Sequence, residues 1–339
     1  MVNLNEKTVS KASTKAQLLE ILRDNAGKPQ SGNVLAKAIG VSRVAVWKGV
    51  QSLVEAGYPV ETQDSGYALD PGVPSDFLYP WEFGEQEAIF RHFESLGSTM
   101  DCAREYAGKQ ESKAVFIAEK QSAGKGRYGR SWSSNQGGLF CTIFDRPKIT
   151  ISDYCLPVMI YQIAIARVLG AVCGKPAWLR WPNDVYIGRQ KIAGVMAELG
   201  GTGDSVSWLA VGFGVNVNNR VPSDKAVSCA RITERLVSRR EVLLRIFNEA
   251  EQLWKQVSSG MAYVQGNRLL AAKWNAIADC MGAKAAVVDS SLPDGTKDRV
   301  LARGIFAGID PAGRCIIRSE SGKGALYFNP GPISVVFYN

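Results

Sequence analysis

Residues 121–135 place glycines, cations and an indole at a spacing suited to binding an anion. Three glycines alternate with three cations before a tryptophan: Gly124, Lys125, Gly126, Arg127, Gly129, Arg130 and Trp132. Glycine lets the backbone reach positive φ and approach a ligand closely, and guanidinium groups grip phosphate or carboxylate through two donors. The segment has neither the P-loop spacing nor the dinucleotide-binding Gly-x-Gly-x-x-Gly frame. It predicts a loop that closes over a phosphate ester, although alone it also fits a solvated basic turn.

Two later segments narrow this interpretation. The first reads Arg-Trp-Pro-Asn-Asp at 180–184 and Lys-Ile-Ala-Gly at 191–194, and the second reads Val-Gly-Phe-Gly-Val-Asn-Val at 211–217. Together with residues 121–135, they resemble the motifs of the biotin protein ligases, including the bifunctional form that is also the biotin operon repressor. Three motifs in this order and spacing are far more specific than any one of them.

The resemblance implies an ATP-dependent biotin–[acetyl-CoA carboxylase carrier protein] ligase. Such an enzyme activates biotin with ATP to biotinyl-5′-AMP and transfers biotin to a lysine of a biotin carboxyl carrier protein. ATP, Mg²⁺ and biotin are the implied cofactors and substrates, with biotin also a co-repressor. In the first step negative charge accumulates at one centre, so the catalyst must supply cations and must position the reactants. His92 is the only histidine, which excludes histidine triads and His-rich metal sites.

The resemblance also implies roles for individual residues. Lys191 would bridge the biotin carboxylate and the α-phosphate, Arg127 would hold the same phosphate, and Asp184 would accept a hydrogen bond or orient the acceptor amine. The implied biotin-binding residues are Ser98, Thr99, Met100, Gln121, Lys125, Gly126, Arg127, Lys191 and Gly194. The implied ATP- and adenylate-binding residues are Gly124, Arg127, Arg130, Trp132, Asn183, Lys191 and Asn216. No protein cluster would bind a metal directly, and Mg-ATP is expected near Asn183 and Asp184.

Each of these residues also has a purely structural interpretation. Ser98-Thr99 suits a helix cap, Asn183-Asp184 suits a turn, and Lys191 alone suits a solvated lysine. Order and spacing overturn these interpretations for Arg127, Lys191 and Gln121.

The chain departs from the family pattern at several positions. Lys125 stands in place of the usual arginine, Met100 in place of asparagine and Arg180 in place of lysine. Because lysine lacks the forked donors of arginine, Lys125 predicts faster escape of biotinyl-adenylate.

The amino-terminal pattern predicts a winged helix-turn-helix. Two short amphipathic helices precede a third, 43–56, which Ser42 caps and whose apolar residues recur at helical spacing, and a hairpin follows around Gly66. Ser42, Arg43, Trp47 and Lys48 are the predicted DNA-binding residues. Residues 1–72 hold eight Lys/Arg and seven Asp/Glu, a net charge of +1. Because this charge is low for a DNA-binding domain, affinity would depend on dimerisation, and a protein-binding helical domain remains an alternative.

The predicted fold class is α+β with four segments. They are the winged helix-turn-helix at 1–72 (1–14 disordered), a linker at 73–86, a class II synthetase-like catalytic domain with a mixed sheet and helices at 87–282, and an SH3-like β-barrel at 283–339. Composition is that of a soluble globular protein, with 46% apolar and 21% charged residues and a net charge of +8. Seven scattered cysteines and no apolar amino-terminal signal predict a cytoplasmic protein without membrane contact.

The predicted partners are the carrier domain, operator DNA and a second subunit in a ligand-promoted homodimer. Two other functions remain open. One is a ligase of the lipoate class, which shares the fold and the adenylate chemistry. The other is a biotin-sensing DNA-binding regulator without catalysis.

Overall fold

In this computed structural model, the described residues are 11–73, 75–109, 113–258, 263–289, 299–320 and 324–338. They belong to two compact units. We call Asn3–His92 with Ser238–Arg240 the helical unit, and Phe93–Val237 with Glu241–Asn339 the sheet unit.

The helical unit contains the predicted three helices and hairpin. Its elements are α1 (Thr14–Asp24), α2 (Gly32–Ile39), α3 (Arg43–Glu55), β1 (Val60–Gln63) and β2 (Gly66–Leu69). Ser42 Oγ accepts a hydrogen bond from Ala45 N at 3.2 Å, which caps α3 as predicted. Gly66 has a φ of 139°, and a Cβ there would lie 2.2 Å from Gln30 O, so only glycine fits this turn.

The two ends of the helical unit differ from the prediction. Helix α1 already begins at Thr14, capped by Ser13, whose Oγ accepts from Ala16 N at 3.2 Å. The predicted disorder of residues 1–10 lies outside the described residues. The predicted linker 73–86 contains Phe77, Tyr79 and Trp81, which pack against the core of the helices. The unit therefore continues to His92 instead of ending at residue 72.

A buried carboxylate ties this continuation to the helices. Glu82 is 2% exposed and forms ion pairs with Arg23 at 2.6 Å and with Arg240 at 3.0 Å. The Tyr58 hydroxyl also donates to Glu82. Burial, followed by the negative charge of Glu82, raises the pKa of Tyr58, so the phenol stays protonated as a donor. Glu82 thus has the paired environment that a buried charge requires.

The sheet unit is built on a seven-stranded sheet in the order β3-β4-β5-β9-β8-β7-β6. The strands of this sheet are β3 (Phe90–Phe93, whose first three residues fall in the range of the helical unit), β4 (Lys113–Ala118), β5 (Leu139–Asp145), β6 (Ala177–Arg180), β7 (Asp184–Ile187), β8 (Gln190–Thr202) and β9 (Ser205–Val215). Its helices are α4 (Thr99–Tyr106), α5 (Cys155–Cys173), α6 (Cys229–Thr233), α7 (Arg239–Ser258) and α8 (Tyr263–Ala276). The pairings among strands β4 to β9 are antiparallel, and an isolated bridge outside these strands, Leu96–Gln121, runs parallel. The sequence patterns did not predict α6 and α8.

Helix α5 is the core helix that its apolar sequence predicts. Among the described residues it is the helix whose length and composition would allow it to cross a membrane, and 72% of its most apolar window is buried within the protein. Most of its side chains pack inside the sheet unit, as expected for the core helix of a folded domain.

The carboxyl-terminal strands form a second, five-stranded antiparallel sheet. They are β10 (Lys284–Asp289), β11 (Arg299–Ile309), β12 (Cys315–Arg318), β13 (Ala325–Phe328) and β14 (Ile333–Phe337), in the order β13-β12-β11-β10-β14. In the described part of these strands, β13 and β14 are the two edges and do not close a barrel. The sheet confirms the predicted strands but not a closed SH3-like barrel.

Two adjacent residues of α3, one buried and one exposed, allow a test of the packing in the core of the helical unit. Leu53 is fully buried and Val54 is 41% exposed. We expect Leu53→Ala to lower the free energy of opening of α3 by about 2–5 kcal/mol, because it leaves a cavity. Val54→Ala should change it by less than about 0.5 kcal/mol. Amide hydrogen exchange of α3 measures both values, and equal effects would contradict the assigned packing.

Candidate functional site

A cavity of about 330 Å³ lies in the sheet unit. The predicted loop, the start of α4, the β7–β8 hairpin and strand β14 contribute its walls. The predicted residues in its lining are Ser98, Thr99, Met100, Gln121, Lys125, Gly126, Arg127, Arg130, Trp132, Asn183, Asp184, Lys191 and Gly194. The fold therefore brings together residues that are up to 96 positions apart in the chain.

One part of the cavity is neutral and polar. Gln121 Oε1 accepts hydrogen bonds from Thr99 N at 2.8 Å and from Thr99 Oγ1 at 3.1 Å. Gln121 Nε2 donates to Ser134 Oγ at 2.8 Å, and Thr142 Oγ1 donates to Thr99 Oγ1 at 2.8 Å. These bonds fix the orientation of the amide, so this wall offers directed donors and acceptors without net charge. Ser98 caps α4, because its Oγ accepts from Met100 N at 3.3 Å.

The β7–β8 hairpin supplies charged side chains to another part of the cavity. Lys191 Nζ lies 2.7 Å from Asp184 Oδ1. Strand pairing shifts register between Val185 and Tyr186, so the β8 strand bulges at Ile192. A regular strand would point Lys191 and Gly194 to opposite faces, because side chains alternate with a period of two. The bulge places both on the cavity side, as β-bulges commonly do beside functional sites.

Trp132 lies in a slot made by two glycines. A Cβ at Gly214 would lie 2.4 Å from Trp132 Nε1, and a Cβ at Gly194 would lie 3.1 Å from Trp132 Cζ3. Lys191 Nζ lies 5.0 Å from the centre of the indole ring. The glycines of the second and third motifs therefore make room for the tryptophan of the first motif.

The two arginines of the loop differ in their surroundings. Arg127 donates to Gly331 O at 2.5 Å and to Asn183 Oδ1 at 3.4 Å, and these bonds orient it beside the cavity. Arg130 lines the cavity with an exposed side chain. Arg127 is thus held in place, whereas Arg130 lies at the solvent-exposed rim.

Lys125 forms an ion pair with Asp101, a residue of α4. Asp101 also pairs with Arg104 at 2.8 Å, and Arg104 in turn pairs with Glu198 at 2.6 Å. These ion pairs connect strand β8 to the loop through exposed side chains. Because exposed ion pairs are individually weak, they position Lys125 without fixing its conformation.

The structure also shows what the sequence patterns missed. Thr142 and Ser134 support the polar wall, and Tyr128, Tyr186 and 333–335 are among the other lining residues. The lining formed by the described residues includes neither Gly124 nor Asn216. A Cβ at Gly124 would lie 2.4 Å from Trp132 O, so this glycine serves loop packing. Asn216 is buried, and its Oδ1 accepts from Asn219 Nδ2 at 3.0 Å.

A second cavity of about 230 Å³ adjoins the first. The residues that line both cavities are Arg127, Tyr128, Trp181, Pro182, Asn183, Val195 and Met196, and the rest of the second cavity is lined largely by apolar residues of α5 and its neighbours. Cys155 is one of them, and burial raises the pKa of its thiol to about 11. This thiol is therefore protonated at neutral pH and is a poor nucleophile. The part of the chain that the structure describes contains no group of three or more His, Cys, Asp or Glu side chains that could hold a metal ion.

The predicted DNA-binding residues lie together on the helical unit. Arg43, Trp47 and Lys48 are exposed on α3, and Ser42 caps that helix. The opposite side of α3 carries Val46, Val50 and Leu53 into the core. The face on which these residues lie is thus free of core contacts and available to a partner.

Comparison with known proteins agrees with the division into a helical unit and a sheet unit. The Biotin/lipoate A/B protein ligase family matches residues 93–216, and an HTH domain matches residues 14–68. The chain is 30% identical over 223 residues to the bifunctional ligase/repressor BirA of Bacillus subtilis (strain 168), covering 63% of this chain and 68% of that protein. It is 29% identical to the BirA of Escherichia coli (strain K12), covering 61% of this chain and 65% of that protein.

A solved structure shows the same fold. The biotin protein ligase of Aquifex aeolicus in complex with biotin and ATP has a TM-score of 0.59 and 25% sequence identity, covering 74% of this chain and 99% of that chain. The fold and the site thus define a ligase of the biotin/lipoate type joined to a helix-turn-helix domain. The chain belongs to the biotin protein ligase family.

A side chain at Gly214 tests whether this glycine makes room for the indole of Trp132. We expect Gly214→Ala to displace Trp132, because the new Cβ would overlap the indole, and to destabilise the sheet unit by about 1–3 kcal/mol. The indole N–H signal of Trp132 in an NMR spectrum reports the displacement. Gly108→Ala is the control, since its Cβ would meet only Glu105 O at 3.7 Å. An unmoved Trp132 signal in Gly214→Ala would rule out the slot.

Proposed function

We propose that this chain is a biotin protein ligase that activates biotin with ATP and transfers it to a lysine of a biotin carboxyl carrier protein. One observation carries the proposal. A single cavity presents a neutral polar wall around Thr99 and Gln121, and a cationic wall around Lys191 and Arg127. Biotin has the matching halves, a neutral ureido ring and a carboxylate. The family membership of the chain supports the same reaction, as does the ligase of the same fold that was solved with biotin and ATP.

The first step brings two negatively charged groups together, the carboxylate of biotin and the triphosphate of ATP. An oxygen of the biotin carboxylate attacks the α-phosphorus of ATP, the bond from that phosphorus to pyrophosphate breaks, and biotinyl-5′-AMP forms. Lys191 lies between the two negative groups and offsets their repulsion, while Arg127 holds the phosphate. Arg130 at the rim contacts the triphosphate. Trp132 and Gly124 shape the loop around the adenylate, and Asn183 contributes a polar contact, whereas Asn216 lies outside the lining and has no contact with the ligand in this proposal.

The second step consumes the adenylate. The amine of the acceptor lysine attacks the acyl carbon, AMP leaves with the electrons of the broken C–O bond, and the amine loses its proton. Asp184 lies within 2.7 Å of Lys191 and orients the incoming amine in the same region. Lys125, Gly126, Ser98, Met100 and Gly194 complete the biotin pocket.

Magnesium would neutralise the pyrophosphate that leaves. Asn183 and Asp184 supply oxygen donors near the phosphates, but Asn183 accepts from Arg127 and Asp184 pairs with Lys191. The residues fit Mg²⁺ bound chiefly through the triphosphate, with protein oxygens in a minor role.

The helical unit supports a second role as a biotin-responsive repressor. We infer that the face of α3 containing Arg43, Trp47 and Lys48 binds operator DNA, that the adenylate promotes a homodimer, and that the protein acts in the cytoplasm. The carboxyl-terminal sheet is the counterpart of an SH3-like domain. The match of an HTH domain and the relatives named ligase/repressor support this role.

Removing the central cation tests the catalytic proposal. We expect Lys191→Ala to slow the transfer of labelled biotin to a carrier domain by about 10²–10³-fold, because one preorganised charge is lost. Lys148→Ala removes an exposed lysine of the same unit and should keep wild-type activity. Undiminished transfer by Lys191→Ala would refute its role. A regulator without catalysis would show no transfer in the wild type and an unchanged DNA response in this variant.

The substitution at position 125 allows a second test. We expect Lys125→Arg to slow the dissociation of biotinyl-adenylate by about fivefold, because arginine adds a forked pair of donors. Stopped-flow fluorescence on release of the adenylate measures this rate. Lys120→Arg makes the same replacement at an exposed position before the loop and should leave the rate unchanged. A dissociation rate that is the same in Lys125→Arg and the wild type would refute the role of Lys125.

A further inference from the structure

The exposed face of α3 contains two large apolar side chains. Val44 is 61% exposed and Trp47 is 52% exposed. Gln51 lies one turn beyond Trp47 and is half-buried. These three side chains are neighbours around the helix, on the part of its surface that does not include the buried residues.

The cations lie at the two sides of this apolar strip. Four residues span about 400° of an α-helix, so Arg43 lies about 40° to one side of Trp47 and Lys48 lies about 40° to the other side of Val44. A duplex offers phosphates along both borders of the major groove and base edges between them. Apart from the exposed Glu55 in the last turn, the charge pattern of α3 therefore fits DNA, with cations at the phosphates and apolar groups at the bases.

Base edges differ in the chemistry that they offer such a strip. Thymine alone carries a C5-methyl group in the major groove, and adenine presents the N7 acceptor and N6 donor that glutamine matches with two hydrogen bonds. Guanine is read mainly by arginine or lysine, and here the two cations lie at the flanks. The middle of the strip therefore has the donors, acceptors and methyl-binding surface for an A·T pair.

We propose that α3 reads A·T pairs in each half-site, with Val44 and Trp47 against thymine methyl groups and Gln51 on adenine N7 and N6. This rests on the proposed role as a DNA-binding repressor. It adds which base pairs the chain selects and which side chains select them. Arg43 and Lys48 contact phosphates and add affinity for every sequence.

The test begins by enriching binding duplexes from a randomised library with the full chain, biotin and Mg-ATP. In the enriched duplex, each thymine is replaced in turn by deoxyuridine, which removes only the methyl group. Each adenine is replaced in turn by 7-deazaadenine, which removes only the N7 acceptor. We expect at least one thymine per half-site whose replacement weakens binding about fourfold. We expect at least one adenine whose replacement weakens it about fivefold.

Variants connect each loss to one side chain. In Val44→Ala and Trp47→Ala, deoxyuridine should weaken binding less than in the wild type, and in Gln51→Ala the same holds for 7-deazaadenine. Val54→Ala, an exposed valine in the last turn of α3, should behave as the wild type. All four positions are outside the buried core of α3, so the variants should remain folded.

The outcomes separate this inference from the function on which it rests. Enriched duplexes that tolerate both replacements at every position would overturn the A·T readout and leave the repressor role intact. Failure to enrich any duplex, together with weak binding that disappears with salt, would overturn both. In that case, loss of a protein complex in Trp47→Ala would identify the strip as a protein-binding surface.

Discussion

The ion pair between Lys191 and Asp184 is the contact on which the rest of the site depends. It exists because the β7–β8 hairpin bulges at Ile192, which turns Lys191 to the same side as Gly194. The backbone of Lys191 is also held from the other side, since its N–H donates to Lys225 O at 2.9 Å and its carbonyl accepts from Val227 N at 3.0 Å. In the proposed reaction, a lysine placed in this way would bring a positive charge to the two anions without having to be reoriented.

The remaining parts of the cavity are arranged around that charge. Gly194 and Gly214 have no side chains, which leaves room for the indole of Trp132 beside Lys191. On the neutral wall, Gln121 is fixed by Thr99 and Ser134, so a ligand with a polar, uncharged ring meets donors that are already oriented. The two walls require a ligand that is neutral at one end and anionic at the other. This division of charge is the physical basis for assigning biotin and ATP to the same cavity.

Much of this arrangement could be predicted from sequence, for identifiable reasons. The helices of the helical unit follow from apolar spacing and from caps such as Ser42, and the grouping of Gln121, Arg127 and Lys191 follows from three ordered motifs. The bulge at Ile192 could not be predicted, because nothing in a short apolar run fixes its pairing register. The supporting roles of Thr142 and Ser134 depend on contacts between distant elements. The packing of Phe77, Tyr79 and Trp81 on the helices was hidden by neighbouring prolines, which resemble a linker.

The central claim is that this cavity adenylates biotin, and pyrophosphate exchange tests it most directly. Wild-type protein is incubated with ATP, Mg²⁺ and labelled pyrophosphate, with biotin or lipoate as the acid. The neutral polar wall predicts that label enters ATP with biotin and that lipoate, which lacks a ureido ring, gives little or no exchange. Equal exchange with both acids, or exchange with lipoate alone, would contradict the assignment of the Thr99–Gln121 wall. No exchange with either acid, from folded protein, would contradict adenylation itself.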